Sequence, residues 1–110
     1  MFIPCSGTKS HDALPGVVRR QAAIAEDVQL IEFRMSRGAV IPWHDHVNEQ
    51  VGMVVSGRIV LTNGEDAMTL GPGDGYVIPS GVEHTVEVLE DSVALDVFSP
   101  PRDDYRDFVP

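Results

Sequence analysis

Cysteine is almost absent from this chain: Cys5 is the only one. A lone thiol closes no internal disulfide, which excludes a disulfide-stapled scaffold and fits a reducing compartment. Near the start of the chain it reads as an incidental thiol. Basic residues are also scarce, with 8 Lys and Arg against 17 Asp and Glu, for a formal net charge of −9. That excludes recognition of nucleic acid through its phosphates, which needs a basic surface. It argues equally against anionic membranes, and an acidic small-molecule substrate would need local cations. Long apolar runs are missing, since none approaches the roughly 18–20 residues needed to span a bilayer. The opening MFIPCSGTKSHD has neither the basic nor the apolar region of a signal peptide, so a cytoplasmic protein is expected. With 110 residues there is too little chain for two cores, and one domain is expected.

Glycine and proline are plentiful and regularly placed: Gly38, Pro42, Gly57, Asn63-Gly64, Gly71-Pro72-Gly73, Pro79, Gly81. Between them lie strand-length runs rich in Val, Ile, Leu and Thr, among them VQLIEF, VGMVVS, RIVLT, AMTL, YVIP, HTVEVL and VALDVF. Asn63-Gly64 is the strongest hairpin signal, as both residues tolerate the positive φ of a type I′ turn. The pattern predicts an all-β sandwich or small barrel with little helix. Only VVRRQAAIAED (Val17–Asp27) competes as a helix, and strand with loop is the preferred reading. The expected organisation is a core barrel over about residues 28–98, an N-terminal arm over 1–27 and a C-terminal tail over 99–110. DDYRDF in that tail is compatible with a helical turn.

The stretch HDHVNEQVG (His44–Gly52) carries the first chemical signal. In an extended segment alternate side chains share a face, so His44 and His46 would point into one volume. Two imidazoles so placed suit a chelated ion such as zinc. H-x-H by itself is weak, as most such pairs are surface histidines. Its neighbours add weight: Gly38 precedes it, Gly57 follows it, and Gly73, Pro79, Gly81 and His84 form a second spaced set.

The stretch Gly38-AVIPW-His44-D-His46-VNE-Gln50-VGMVVS-Gly57 resembles the first cupin motif, and Gly73-DGYVI-Pro79-S-Gly81-VE-His84 resembles the second. That resemblance implies a jelly-roll β-barrel of two antiparallel sheets, usually dimeric. It implies one divalent ion per chain in the barrel mouth, held by His44, His46, residue 50 and His84. Two positions depart from the pattern. Val88 stands where asparagine is usual, which affects packing or a contact beside the ligands. Gln50 stands where a glutamate is usual. Glu49 is a rival, but the spacing to Gly57 and strand alternation both favour Gln50.

A glutamine carbonyl is a weak, uncharged donor. Three imidazoles and an amide leave the full +2 of a divalent ion, where a glutamate would leave +1. Such a shell disfavours a trivalent metal and strengthens Lewis acidity, which points from redox chemistry toward isomerisation, hydration or elimination. The metal itself stays open among Ni, Zn, Mn, Fe and Co. A degenerate cupin that keeps its histidines without using them remains the bland alternative.

VALDVFSPPRDDY (Val93–Tyr105) holds a second constellation. Val93, Leu95 and Val97 take one face of a strand, and Ala94, Asp96 and Phe98 the other. An acid there is costly if buried without a partner. Asp96 is therefore either on a solvent-facing edge or inside the cavity beside the ligands. Inside, it would move protons or bind hydroxyls, with burial raising its pKa. Phe98 would form a cavity wall. Arg102 could clamp a carboxylate over the mouth, or be a surface arginine paired with Asp103 or Asp104. Trp43 should point away from His44, which suggests a core or dimer-interface role. Met53 and Met68 read as strand packing.

H-x-H-x-x-E-Q followed by L-D-V-F-S-P-P-R-D-D-Y is similar to small single-domain cupins of the pectin-degradation KdgF type. That resemblance implies conversion of cyclic 4,5-unsaturated uronates to the linear keto form. It places Asp96 and Arg102 in the catalytic role and Phe98 and Arg102 against an anionic sugar. The rival readings are a metal-dependent dioxygenase and a non-catalytic sugar-binding module.

Overall fold

The alternating runs of the sequence become ten strands in a computed structural model that describes residues 1–107. They are β1 (Ser10–Leu14), β2 (Val17–Ile24), β3 (Gln29–Met35), β4 (Val40–His44), β5 (Glu49–Ser56), β6 (Ile59–Asn63), β7 (Asp66–Leu70), β8 (Gly75–Ile78), β9 (His84–Val88) and β10 (Ser92–Ser99). Two antiparallel sheets result, ordered β1-β2-β3-β10-β5-β8 and β4-β9-β6-β7. Helix is confined, among the described residues, to two 3₁₀ turns, Cys5–Gly7 and Asp103–Tyr105. The second is the turn expected in DDYRDF; residues 108–110 of the tail lie outside the described residues. No described helix is long and apolar enough to cross a membrane.

Alternation decides what faces inward. β3 buries Gln29, Ile31, Phe33 and Met35, and β10 buries Ser92, Ala94, Asp96 and Phe98. These pack against Ile59, Leu61, Val88 and Leu70 of the facing sheet. Val88 is 2% exposed, consistent with a packing role at the position where the cupin pattern has asparagine. Within the segment read as an arm, β2 pairs with β3 and Val17 is buried in the core. VVRRQAAI is thus strand, with its register shifted between Gln21 and Ala23.

Three expectations are corrected. The β6–β7 turn pairs Asn63 with Asp66, so Gly64 and Glu65 are its central residues. Gly64 has φ +64° and no non-glycine residue among those described has positive φ, which is the pattern of a type II′ turn rather than I′. Of the two roles expected for Trp43, core or dimer interface, the first is excluded by its 55% exposure. Met53 is exposed on the outer face of β5, opposite in parity to buried Gln50 and Val54, whereas Met68 shares a face with Leu70 and its partner Leu61 but is exposed because β7 is the edge of its sheet.

Candidate metal centre and cavity

Strand pairing builds the first half of the site. His44, the last residue of β4, is paired with His84, the first of β9. Directly paired residues share a sheet face, and their rings lie 4.1 Å apart between centroids. His46 joins them differently from the sequence expectation. It lies beyond the end of β4, in the loop to β5, so alternation along one strand is not what aligns it. The loop is pinned instead: the backbone N–H of Gly81 donates to the carbonyl of His46 at 2.9 Å, and Asn48 Nδ2 donates to the Pro100 carbonyl at 2.6 Å. The His46 ring thereby stands 5.7 Å from that of His44 and 5.0 Å from that of His84. One nitrogen from each of the three rings lies within 4.8 Å of the others, a group that could hold a metal ion.

The protonation of these rings is set by the backbone. Nδ1 of His44, His46 and His84 faces the carbonyl of Pro42, Asn48 and Val82, at 2.8, 2.9 and 2.9 Å. Each Nδ1 carries the proton and donates it, which leaves Nε2 as a lone-pair donor. Burial holds His84 down to about 4 and His46 below its ordinary value, so both are neutral near pH 7.

Gln50 stands beside this cluster and is 8% exposed, whereas Glu49 is on the exposed face. Its Oε1 stands 3.0 Å from Nε2 of His46. Its Nε2 donates to Asp96 Oδ1 at 2.9 Å, which fixes which way the amide points. His46 therefore meets an oxygen acceptor at each nitrogen, yet a neutral imidazole has one N–H. Two lone pairs facing each other at 3.0 Å are repulsive, and a cation near them relieves it. The residues fit a divalent ion on that ground.

Asp96 faces the cavity and is 2% exposed, which settles its orientation. In the sheet it is paired with Gly52, and Gly52 with Tyr76. A Cβ on Gly52 would collide with both Asp96 Oδ1 and the Tyr76 ring. The glycine leaves the space in which the Tyr76 phenol and the Asp96 carboxylate approach each other. Burial pushes the Asp96 carboxyl up to about 6, while the bonds from Gln50 and Tyr76 pull the other way. Tyr76 is pushed up, first by burial and then by the Asp96 charge, so it stays a neutral donor.

Phe98 is paired with Gln50 across β10 and β5 and lines the same cavity, its ring 5.6 Å from that of His46. Arg102 unites both sequence readings. It is paired with Asp104, through Nε at 3.1 Å and Nη2 at 2.8 Å, yet its side chain is only 14% exposed. The guanidinium lies 4.0 Å from the Tyr105 ring and lines the cavity mouth. Its place is fixed by Gln29, a fully buried residue whose Oε1 accepts the Arg102 backbone N–H at 2.9 Å. His11 is no part of this cluster and pairs with Asp107 at 2.9 Å.

Sequence reasoning missed Tyr76, Gly52 and Gln29. Gly52 had a signal, an interior strand glycine, which marks a close approach. Tyr76 and Gln29 had none, because their partners lie on strands distant in the chain.

Two antiparallel sheets closing over a histidine cluster at one mouth define a small cupin, and the chain belongs to the cupin domain family, which matches residues 31–99. Among curated proteins it is similar to the pectin degradation protein KdgF of Dickeya dadantii, 28% identical over 82% of this chain and 84% of that one. Among solved structures it is similar to KdgF from Halomonas sp., at 33% identity and TM-score 0.89, covering 96% of this chain and all of that one. An RmlC-like cupin from Shewanella frigidimarina matches at 25% identity and TM-score 0.90, over 96% and 95% of the two chains.

Proposed function

We propose that this cupin isomerises 4,5-unsaturated uronates to their linear keto form, with one divalent ion held by His44, His46, Gln50 and His84. The observation that carries the reading is the two-ended contact of Gln50. Its carbonyl turns to His46 and its amide donates to Asp96, so the ligand set and a buried acid share one cavity. Similarity to two proteins named KdgF, one of them a pectin degradation protein, supports a small carbohydrate acid as substrate.

A bound divalent ion there supplies a Lewis acid for substrate oxygens. The remaining chemistry falls to the chain's own groups. Ring opening removes the proton from the hydroxyl on C1, breaks the bond from C1 to the ring oxygen, and leaves an aldehyde and an enolate. Ketonisation adds a proton at C4 and turns the C5 enolate into a ketone. One proton leaves an oxygen and one arrives at carbon, so nothing is oxidised or consumed. Asp96, with a pKa of about 6, accepts the first and returns it. Tyr76 and Gln50 hold its carboxylate still. Phe98 bounds the ring, and Arg102 binds the substrate carboxylate through its Nη1 edge, Nε and Nη2 being turned to Asp104.

The test is loss of the ultraviolet absorbance of an unsaturated galacturonate on protein loaded with Ni, Zn, Mn, Fe or Co in turn. The substrate assignment fails if none of the five supports the loss.

The outer face of the six-stranded sheet supports a homodimer. Leu30, Val97, Val51 and Val77 are paired in succession across four strands, and all point outward. Met53 and Val55 widen this exposed apolar stripe, which suits a self-complementary contact with a second copy. Light scattering should give twice the chain mass, and Val51→Lys should give the monomer.

A further inference from the structure

The cavity beneath the histidines is too small for a sugar acid. It offers about 50 Å³, whereas sites for small molecules run to about 300–1,000 Å³. A second space of about 450 Å³ lies beside it, along the seam where β1 and β2 of one sheet face β4 of the other. Ile41, His44, Arg102 and Tyr105 line both, so the two spaces meet at the metal mouth.

The seam has the chemistry of a carbohydrate site. Trp43 stands on its lip, more than half exposed, as an apolar platform for a sugar's C–H face. Arg19 and Arg102 both lie over the Tyr105 ring, 4.7 and 4.0 Å from its centroid. Arg19 also donates to the Asp104 carbonyl at 3.2 Å, so the two guanidiniums and the 3₁₀ turn form one unit. Asp12 supplies an acceptor for hydroxyls on the opposite wall. Two of the few cations in a chain of net charge −9 stand in this seam beside Asp12 and Asp104; Arg102 is paired with the Asp104 carboxylate, while Arg19 bonds only its backbone carbonyl.

We propose that this seam is the outer half of the substrate site. It takes the part of an anionic sugar acid that the inner cavity cannot enclose, with Trp43 and Arg19 as its specificity-determining residues. The proposal rests on the uronate reading for its substrate class, but it concerns binding and is tested by binding.

Trp43 is the only tryptophan, so indole emission reports this seam alone. The experiment titrates the full chain, as purified, with D-galacturonate, and in parallel with galactose and with acetate. Galacturonate should move the Trp43 emission saturably, while the neutral sugar and the bare carboxylate should not at the same concentration. Arg19→Met should weaken that response about tenfold. In turnover of an unsaturated uronate, Trp43→Ala should raise KM about fivefold and leave kcat within about twofold.

Emission that ignores galacturonate overturns the proposal, as does an equal response to all three probes. A change on dilution of the protein alone also overturns it, since the seam would then be a contact between copies. The two readings fail separately. Turnover with a silent Trp43 sinks the seam alone, and a galacturonate response without turnover sinks the isomerase alone.

Discussion

Gln50 donates a 2.9 Å hydrogen bond from Nε2 to Oδ1 of Asp96. That bond explains why an amide stands where cupins usually carry a carboxylate. An amide can accept on one side and donate on the other, so its oxygen is left for the histidine cluster. A glutamate could do only the first, and would set two carboxylates side by side in a buried space.

Gln50→Glu should therefore keep the metal and lose the chemistry. Two carboxylates about 3 Å apart share one proton, as like charges so close do not both ionise. Metal content by mass spectrometry should match the parent, and turnover should fall at least about tenfold. A variant as active as the parent would remove the reason offered for the amide.

Asp96→Asn keeps the shape of the side chain and its acceptor for Tyr76. It removes the proton carrier. Turnover should fall about 10²–10⁴-fold, the usual contribution of a general acid–base group, with the metal retained and thermal stability no lower than the parent's. Ordinary activity in this variant would assign proton transfer elsewhere.

Gly52→Ala tests packing rather than chemistry. The added methyl would collide with Asp96 and Tyr76. Overpacking at such a site costs about 1–3 kcal/mol, and the Tyr76–Asp96 contact should break. Urea titration measures the first, and loss of turnover the second. A variant of parental stability would show that the ring and the acid have room to move apart.

Removing one histidine should empty the centre. His84→Ala, or dialysis of the parent against a strong chelator, should leave well under one metal per chain. Restoring a divalent ion should raise the melting temperature of the parent only, since a ligand that binds the folded state stabilises it. Equal metal in parent and variant would show that the cluster is not the site.

Glu32 gives the chain a pH dependence away from the site. Arg20 bonds it through Nε and Nη2, at 3.3 and 3.2 Å, and Arg34 adds a bond at 3.0 Å. The Arg20 bond, against some cost of burial, holds the Glu32 carboxyl below its ordinary value. The unfolded chain then binds more protons as pH falls through the carboxylate range, so stability is full above the unfolded pKa of about 4.3 and lost through the folded one. Glu32→Gln should cost about 1 kcal/mol at pH 7, and the deficit should vanish toward about pH 3. A deficit independent of pH would mean that shape, not charge, is what Glu32 supplies.

Local pattern made several features readable in advance. Turn residues at short spacing and β-branched runs determined the all-β class, because a strand's two faces follow from parity alone. Parity also separated Gln50 from Glu49 and put Asp96 and Phe98 on one side of β10. It failed at His46 and Trp43. His46 lies past the end of its strand and is aimed by bonds from Gly81 and within its own loop. Trp43 lies where the β4–β9 register shifts between Ile41 and His44, so strict alternation does not hold there, and its side chain is exposed beside the same seam that His44 lines.

What the sequence determined by itself was the strands and the identity of the candidate histidines, since both are read from neighbours in the chain. Whether Asp96 faced solvent or the ligands was decided only when β10 settled between β3 and β5. The pairing of β8 with β5 brought Tyr76 over Gly52, and the pairing of β10 with β3 brought Gln29 under Arg102. The physical reason is that an acid's cost, partners and pKa depend on what surrounds it. Here those surroundings come from strands far apart in the chain, joined only by the sheet.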